Sequence, residues 1–234
     1  MKQHIQNKNV FVKKVFDRVF DKYDLMNDIV SLGTHRLWKR QLINWLAPAS
    51  NKKLLDVASG SGDLVKLYIK YTNNNCQIHA IDSNSKMIEI GKKKLTKFKN
   101  VHWHVSKAEK LKFKDNTFDY CTISFGIRNV SNINLTLKEV YRVLKPGGRF
   151  MCLEFSKVQN NLLNKLYKLY SKNIPKIGKI IVGDNMPYEY LVNSINNFYN
   201  QDELLNLMKK NNFYKTEFRN LSGGIVAIHS GWKI

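Results

Sequence analysis

Residues 54–70 read LLDVASGSGDLVKLYIK. An apolar run at 54–57 ends in a turn of small residues, Ala58-Ser59-Gly60-Ser61-Gly62, and Asp63 opens a segment with helical apolar spacing. Strand, glycine turn and helix in that order predict a unit that binds a nucleotide-like cofactor. The turn matches GxGxxG only in part, because Val65 stands where the third glycine belongs. Asp63 is more telling. A pyrophosphate at a helix N-terminus is held by free N–H groups and the positive end of the helix dipole. A carboxylate at that point opposes it, which disfavours NAD, FAD and ATP. With no Gly-Lys-Ser/Thr ending, the turn is not a P-loop either.

A cofactor without phosphate removes the conflict. S-adenosylmethionine carries an ammonium, a carboxylate, a ribose and a sulfonium. Asp56 or Asp63 is placed to receive the ammonium, and Gly60, Ser61 and Gly62 let the backbone approach the methionine portion. Asp82 ends the next predicted strand, about twenty residues on, where a carboxylate accepts both ribose hydroxyls. Alone, each of these aspartates reads more readily as a helix cap or strand-end turn; the joint spacing favours the cofactor. Lys107-Ala108-Glu109, after the third strand, falls where adenine is expected, and Ser124 ends the fourth strand at the same crevice.

Working outward, strands are predicted at 54–58, 77–82, 101–105, 118–125 and 149–155, with helices near 64–71, 86–97 and 134–144 between them. Lys145-Pro146-Gly147-Gly148 is read as the helix stop that turns the chain into the fifth strand. A helix at 202–210 and β segments at 215–221 and 225–232, joined through Ser222-Gly223-Gly224, suggest a terminal hairpin. The expected fold is α/β: a doubly wound, Rossmann-like, mostly parallel sheet of seven strands in one domain over 1–234. Residues 1–50 read as an N-terminal helical cap, with Val12, Val15, Phe16, Val19, Phe20 and Tyr23 at helical spacing and the pattern repeated in Leu37, Trp38, Leu42, Trp45 and Leu46. Residues 156–200 read as a helical insertion over the substrate site.

The chain has 234 residues, 43% of them hydrophobic, enough for a buried core. Its three cysteines, Cys76, Cys121 and Cys152, lack CxxC spacing and read as reduced. No signal peptide or membrane-spanning run is apparent, so a cytoplasmic protein is expected. The net charge of +21 comes mostly from lysines scattered along the whole chain, a compositional bias that leaves part of it for an anionic surface. His102 and His104 share a strand face, but no third ligand accompanies them and no metal is expected.

At this point the chain resembles the ubiquinone/menaquinone biosynthesis C-methyltransferase family over nearly its whole length. KYDLMND at 22–28 and SFGIRNV at 124–130 are the narrow markers; GTHRLWKR at 33–40, DNTFD at 115–119, YRVLKPGG at 141–148 and LEFSK at 153–157 accompany them. The resemblance implies a class I methyltransferase fold and methyl transfer from S-adenosylmethionine to a ring carbon of a prenylated quinol. That quinol is a 2-polyprenyl-6-methoxy-1,4-benzoquinol, a demethylmenaquinol, or both. By position, the family's cofactor contacts fall on Ser61, Asp82, Lys107-Ala108 and Ser124. Ser59 stands where the family commonly has Gly, and Lys107 where Asn or Asp is common.

Such chemistry needs a group to stabilise a developing phenolate and one to hold a hydroxyl. Arg128 and Asn129, just past the fourth strand, are the first candidates; a guanidinium is a poor base, so Arg128 stabilises charge or orients a water. Tyr23, Asn27 and His35 follow from the N-terminal helices, each equally readable as core packing, a cap or a satisfied buried histidine. The stretch 161–171 is amphipathic and basic, with Leu162, Leu166, Leu169 and Tyr170 on one face. It suits the inner face of the cytoplasmic membrane, packing on the domain, or a homodimer contact. Other quinone-biosynthesis enzymes are expected partners; nucleic acid is not. An RNA methyltransferase lacks support, because no Asn/Asp-Pro-Pro-aromatic motif follows the fourth strand and no RNA-binding module is present. A non-catalytic scaffold of the same fold stays open at this stage.

Overall fold

A computed structural model describes Val15 and residues 23–234, apart from the side chains of Tyr23, Asp24, Ile181 and Val182. The helical pattern read at 12–20 therefore lies, except for Val15, outside the described residues.

From residue 23 onward the chain forms helices α1 (Tyr23–Ser31) and α2 (His35–Leu46) before the sheet. The sheet is then built from β1 (Lys52–Val57), β2 (Cys76–Asp82), β3 (Val101–Val105), β4 (Phe118–Ser124), β5 (Leu144–Phe155), β6 (Tyr214–Leu221) and β7 (Val226–Trp232). Helices α3 (Asp63–Tyr71), α4 (Ser85–Lys94) and α5 (Ile133–Val143) connect β1 to β2, β2 to β3 and β4 to β5, while a loop joins β3 to β4. After β5 come α6 (Asn161–Val182), α7 (Met186–Asn196) and α8 (Gln201–Lys210). The seven strands order as β3-β2-β1-β4-β5-β7-β6, with β7 antiparallel to both neighbours and the rest parallel. The order reverses between β1 and β4, which places a crevice outside their carboxyl ends.

Asparagines start four of these helices. Asn84, Asn132, Asn160 and Asn200 each accept a backbone N–H of the first turn, and Glu203 returns the bond to Asn200 in a full capping box. The sheet buries both faces. Leu54, Ile78, Ala80, Met151 and Leu153 face a core shared with α1, α2, α3, α6 and α7, whereas Leu55, Val57, Ile81, Ile123 and Cys152 face α5 and α8. Strand alternation thus sends Asp56, Asp82, Thr122 and Ser124 to the first face, at the strand ends beside the N-terminal helices.

Three departures from the sequence expectations have local causes. Lys145-Pro146-Gly147-Gly148 lies inside β5: α5 stops at Val143 because Leu144 is already extended, and the β4–β5 register slips before Arg149. Gly147, at φ 78°, lets this bulge form while its N–H bonds to Lys233 O at 2.8 Å. The amphipathic helix runs on to Val182 rather than stopping near 171, and α7 follows it as a separate helix. Finally, Tyr170 is turned away from the leucines: its hydroxyl donates to Ile29 O in α1.

Candidate active site

The glycine turn is held from two sides. Asp82 Oδ2 accepts the Gly60 N–H at 3.0 Å and Asp82 Oδ1 accepts the Asn84 N–H at 2.9 Å, fixing the carboxylate at the end of β2. Burial raises the Asp82 pKa while those N–H bonds oppose the rise. Gly62 sits at φ 83°, and a side chain there would meet the Trp103 ring at 2.6 Å. Its glycine is therefore demanded by ring packing and backbone conformation, in addition to any close approach of a ligand. Ser61 is buried and its hydroxyl accepts from Lys94 Nζ at 3.2 Å.

Asp56 and Thr122 are register partners on β1 and β4, and Thr122 Oγ1 donates to Asp56 Oδ1 at 2.6 Å. Almost fully buried, Asp56 has its pKa pushed up to about 7, chiefly by lost hydration, with the Thr122 bond and the Lys39 charge pulling the other way. A cation arriving beside it would restore the ionised form. Asp63 behaves differently. Lys39, from α2, donates to Asp63 Oδ2 at 2.9 Å, and its charge holds that carboxyl below the usual range despite burial. The carboxylate expected to repel a pyrophosphate is thus already partnered.

Asp56, Asp63, Lys39, Asn27, Gly60, Ser61 and Ser124 line one cleft with Ser59 and Phe125. Ser124 Oγ and Ser59 Oγ are buried there with no protein hydrogen-bond partner. Two orphaned hydroxyls, two carboxylates and one ammonium in the cleft, with Asp82 behind the turn, form a set matched to a zwitterionic amino acid with a ribose attached. The residues fit S-adenosylmethionine. Ala108 is buried in the core with Leu111 and Ile127, and the Lys107 carbonyl accepts from the Lys110 N–H at 3.3 Å. Glu109 is committed elsewhere, accepting the Ser131 N–H at 2.6 Å and the Ser131 hydroxyl at 2.5 Å.

Arg128 and Asn129 lie in a 3₁₀ turn at Ile127–Asn129, directly beyond β4. Arg128 Nη1 donates to Glu154 Oε1 at 2.7 Å and to Phe125 O at 2.8 Å, and its guanidinium lies 5.5 Å from the Phe155 ring centre. Asn129 Oδ1 accepts the Tyr190 hydroxyl of α7 at 2.9 Å. Arg128 and Tyr190 both border a cavity of ≈ 530 Å³ that also meets Asn132, Asn193 and Phe198. His35 is buried; its Nε2 lies 3.0 Å from Asp28 Oδ1, the carboxylate that also takes both Arg36 nitrogens. With a carboxylate as partner, Nε2 carries the proton, while Nδ1 is buried with no protein partner. Burial lowers the His35 pKa, with Lys39 adding to the effect. The side chain of Tyr23, which opens α1, lies outside the described residues.

Four side chains that sequence reasoning did not single out belong to this region: Lys39, Glu154, Tyr190 and Tyr167, whose raised pKa is opposed by the Arg128 charge. On the opposite sheet face, His79 joins His102 and His104, with His79 Nδ1 3.0 Å from His104 Nε2 and Phe113 and Phe118 packed edge-on. Among the described residues no group of His, Cys, Asp and Glu is arranged to hold a metal ion.

Fold, strand-end crevice and donor set together define a class I S-adenosylmethionine-dependent methyltransferase. The architecture is similar to a SAM-dependent methyltransferase of Thermotoga maritima, described as a possible histamine N-methyltransferase, with a TM-score of 0.67 over 95% of this chain and 100% of that one at 19% identity. It is also similar to Haemonchus contortus phosphoethanolamine N-methyltransferase 2 in complex with S-adenosyl-L-methionine, with a TM-score of 0.61 over 83% of this chain and 52% of that one at 15% identity. The ubiE/COQ5 methyltransferase family model matches residues 2–233, and the chain belongs to that family. The ubiquinone/menaquinone biosynthesis C-methyltransferase UbiE of Rickettsia bellii (strain OSU 85-389) is 52% identical, the match covering 97% of this chain and 94% of that protein.

Proposed function

We propose that this chain methylates a ring carbon of a prenylated quinol in ubiquinone/menaquinone biosynthesis, the substrate being a 2-polyprenyl-6-methoxy-1,4-benzoquinol, a demethylmenaquinol, or both. Family membership supports the reaction class. The observation that carries the substrate reading is the Arg128–Asn129 turn at the end of β4, two polar groups fixed by Glu154 and Tyr190 beside an open cavity.

Asp82 would hold the donor's ribose, Asp56 its ammonium and Ser61 and Ser124 its methionyl and ribosyl edges, with Lys107 and Ala108 bordering adenine. When bound, S-adenosylmethionine supplies an electrophilic methyl group on sulfur. The protein's part is alignment and charge control. Arg128 stabilises the oxygen of the quinol as it loses its proton, which pushes electron density to the ring carbon, and Asn129, oriented by Tyr190, holds a hydroxyl. After transfer, with S-adenosylhomocysteine as the other product, the methylated ring carbon must give up its proton to a base to restore aromaticity; alignment contributes several kcal/mol, and a positioned base adds roughly 10²–10⁴-fold. Tyr23, Asn27 and His35 complete the cap over 1–50, and residues 156–200 form the insertion that covers the quinol.

The same reading includes contact with a membrane surface, for which α6 is suited. Leu162, Leu166, Leu169 and Ile180 of α6 are 70%, 58%, 64% and 84% exposed. The inner face of that helix is tied down by Tyr170 and by Gly178, where any side chain would meet the Tyr188 ring at 2.2 Å. The helix carries five lysines and no acidic residue, matching an anionic bilayer at the inner face of the cytoplasmic membrane. Among the described residues no helix is long and apolar enough to cross a membrane. Co-sedimentation with vesicles containing phosphatidylglycerol tests it: a Leu162/Leu166/Leu169→Ser variant should lose binding. Equal, salt-insensitive binding by both proteins would leave α6 to a homodimer or to other quinone-biosynthesis enzymes.

The activity test is methyl transfer to a short-chain quinol analogue, together with quinone profiling by mass spectrometry after gene disruption. A demethyl quinone should accumulate. No turnover on any quinol, with tight donor binding, would favour a non-catalytic scaffold.

A further inference from the structure

Lys39 is only 7% exposed, and it reaches the cleft from α2, a helix that is not part of the strand–helix framework. Burying an ammonium is costly unless it is paired, and a buried pair is weak evidence of added stability, since apolar replacements commonly do as well. The placement calls for another reason.

Charge around the cleft supplies one. Among the described residues lining it, Asp56 and Asp63 are acidic and Lys39 is the only basic side chain. Arg36, Arg40, Lys66, Lys70 and Lys94 line the cavity on the outer side of the same turn; Lys39 borders both, and Lys94 meets the cleft at the Ser61 hydroxyl, 3.2 Å from its Nζ. Lys39 is also rigidly delivered. The adjacent Trp38 donates from Nε1 to Ser222 Oγ at 2.9 Å and packs its ring on Phe125 and Phe155.

We propose that Lys39 is the counter-ion for the α-carboxylate of the methyl donor, making it a specificity-determining residue for the amino-acid end. The ammonium has three N–H donors. Asp63 takes one, so a second carboxylate can be held without releasing the first. Paired acid and base then face the donor's paired ammonium and carboxylate with opposite polarity. Asp56 and Asp63 read the donor's positive group, and Lys39 reads the negative one.

The inference rests on the methyl-donor reading of the cleft and not on the quinol. Calorimetric titration of the full chain with S-adenosylhomocysteine, its decarboxylated analogue and 5′-methylthioadenosine tests it without turnover. The wild type should prefer S-adenosylhomocysteine over the decarboxylated analogue by roughly 10- to 100-fold, the size of a charge-assisted contact. Lys39→Met should erase that preference and leave 5′-methylthioadenosine binding unchanged, and Lys39→Arg should restore part of it. Lys39→Met/Asp63→Asn, which removes both partners of the pair, should weaken both ammonium-bearing ligands and likewise show no preference between S-adenosylhomocysteine and its decarboxylated analogue, and it serves if the single variant does not fold. Equal weakening of all three ligands, or a preserved preference in the Met variants, would overturn the role of Lys39. A wild type that binds none of the three would instead overturn the cofactor site itself.

Discussion

Arg128 and Glu154 form a buried ion pair across the ends of β4 and β5, with Nη1 2.7 Å from Oε1 and each side chain almost fully enclosed. Burial raises the Glu154 pKa, and the Arg128 charge is the main force against it. The pair orients the guanidinium that the proposed chemistry needs.

Removing Arg128 alone therefore mixes two effects, lost catalysis and a stranded carboxyl, and breaking such a pair costs about 3–5 kcal/mol. The combination Arg128→Ala/Glu154→Gln separates them. It should recover most of the thermal stability lost by Arg128→Ala, keep S-adenosylhomocysteine affinity, and still show turnover at least about 100-fold below wild type. Melting curves and steady-state rates check this, and restored turnover would remove Arg128 from the mechanism.

The second prediction concerns Asp56. Its folded pKa of about 7 lies above the ordinary carboxylate value, so between roughly pH 4 and 7 the folded form holds a proton that the unfolded chain releases. Stability must fall as pH rises through that window. Asp56→Asn removes the dependence: the ligand-free variant should melt about 3–6 °C above wild type at pH 8 and close to it at pH 4. The same variant should bind the methyl donor more weakly, measured by calorimetry at pH 8.

His229 works in the opposite direction. Its Nε2 bonds to Gln201 O at 2.9 Å, it is buried, and its pKa is pushed down to about 4 by lost hydration. The unfolded chain takes up a proton near pH 6.5 that the folded chain refuses, so stability falls as pH drops from about 6.5 to 4. His229→Gln should flatten that acid limb in urea unfolding, and an unchanged limb would count against this account.

Gly62→Ala should cost about 2–4 kcal/mol, because the left-handed backbone and the Trp103 ring both reject a methyl group. Gly62→Ala with Trp103→Leu should recover the packing share of the loss and keep the backbone share. Chemical denaturation of the three proteins measures it; no recovery would mean the ring is not the obstacle.

The framework was legible because parallel strands buried on both faces write themselves as short apolar runs, as at 54–57 and 118–125. The candidate cofactor aspartates were legible for a related reason: Asp56 interrupts such a run and Asp82 ends one. What stayed hidden depends on contacts between distant residues. Lys39 meets Asp63 24 positions away, Arg128 meets Glu154 at 26, and Tyr190 reaches Asn129 at 61. His79 escaped notice for the same reason, since its neighbours His102 and His104 stand on the adjacent strand. The start of β5 was misread because proline and two glycines usually stop an element, and here they bulge one. The outward turn of the α6 leucines was visible as a pattern, but only packing could tell that Tyr170 belongs to the other side.

Trp38 and Ser222 are 184 positions apart, and their hydrogen bond ties α2 to the turn of the final hairpin. Arg219 adds to the seam, its guanidinium 4.1 Å from the Trp45 ring centre. During synthesis α2 can pack on Phe125, Phe155 and the glycine-turn helix first, and this last tether forms only once the hairpin has cleared the ribosome. The residues lining the cleft are all made before that hairpin, so the end of the chain acts as a late clasp on the helix that carries Lys39 rather than as part of the pocket wall.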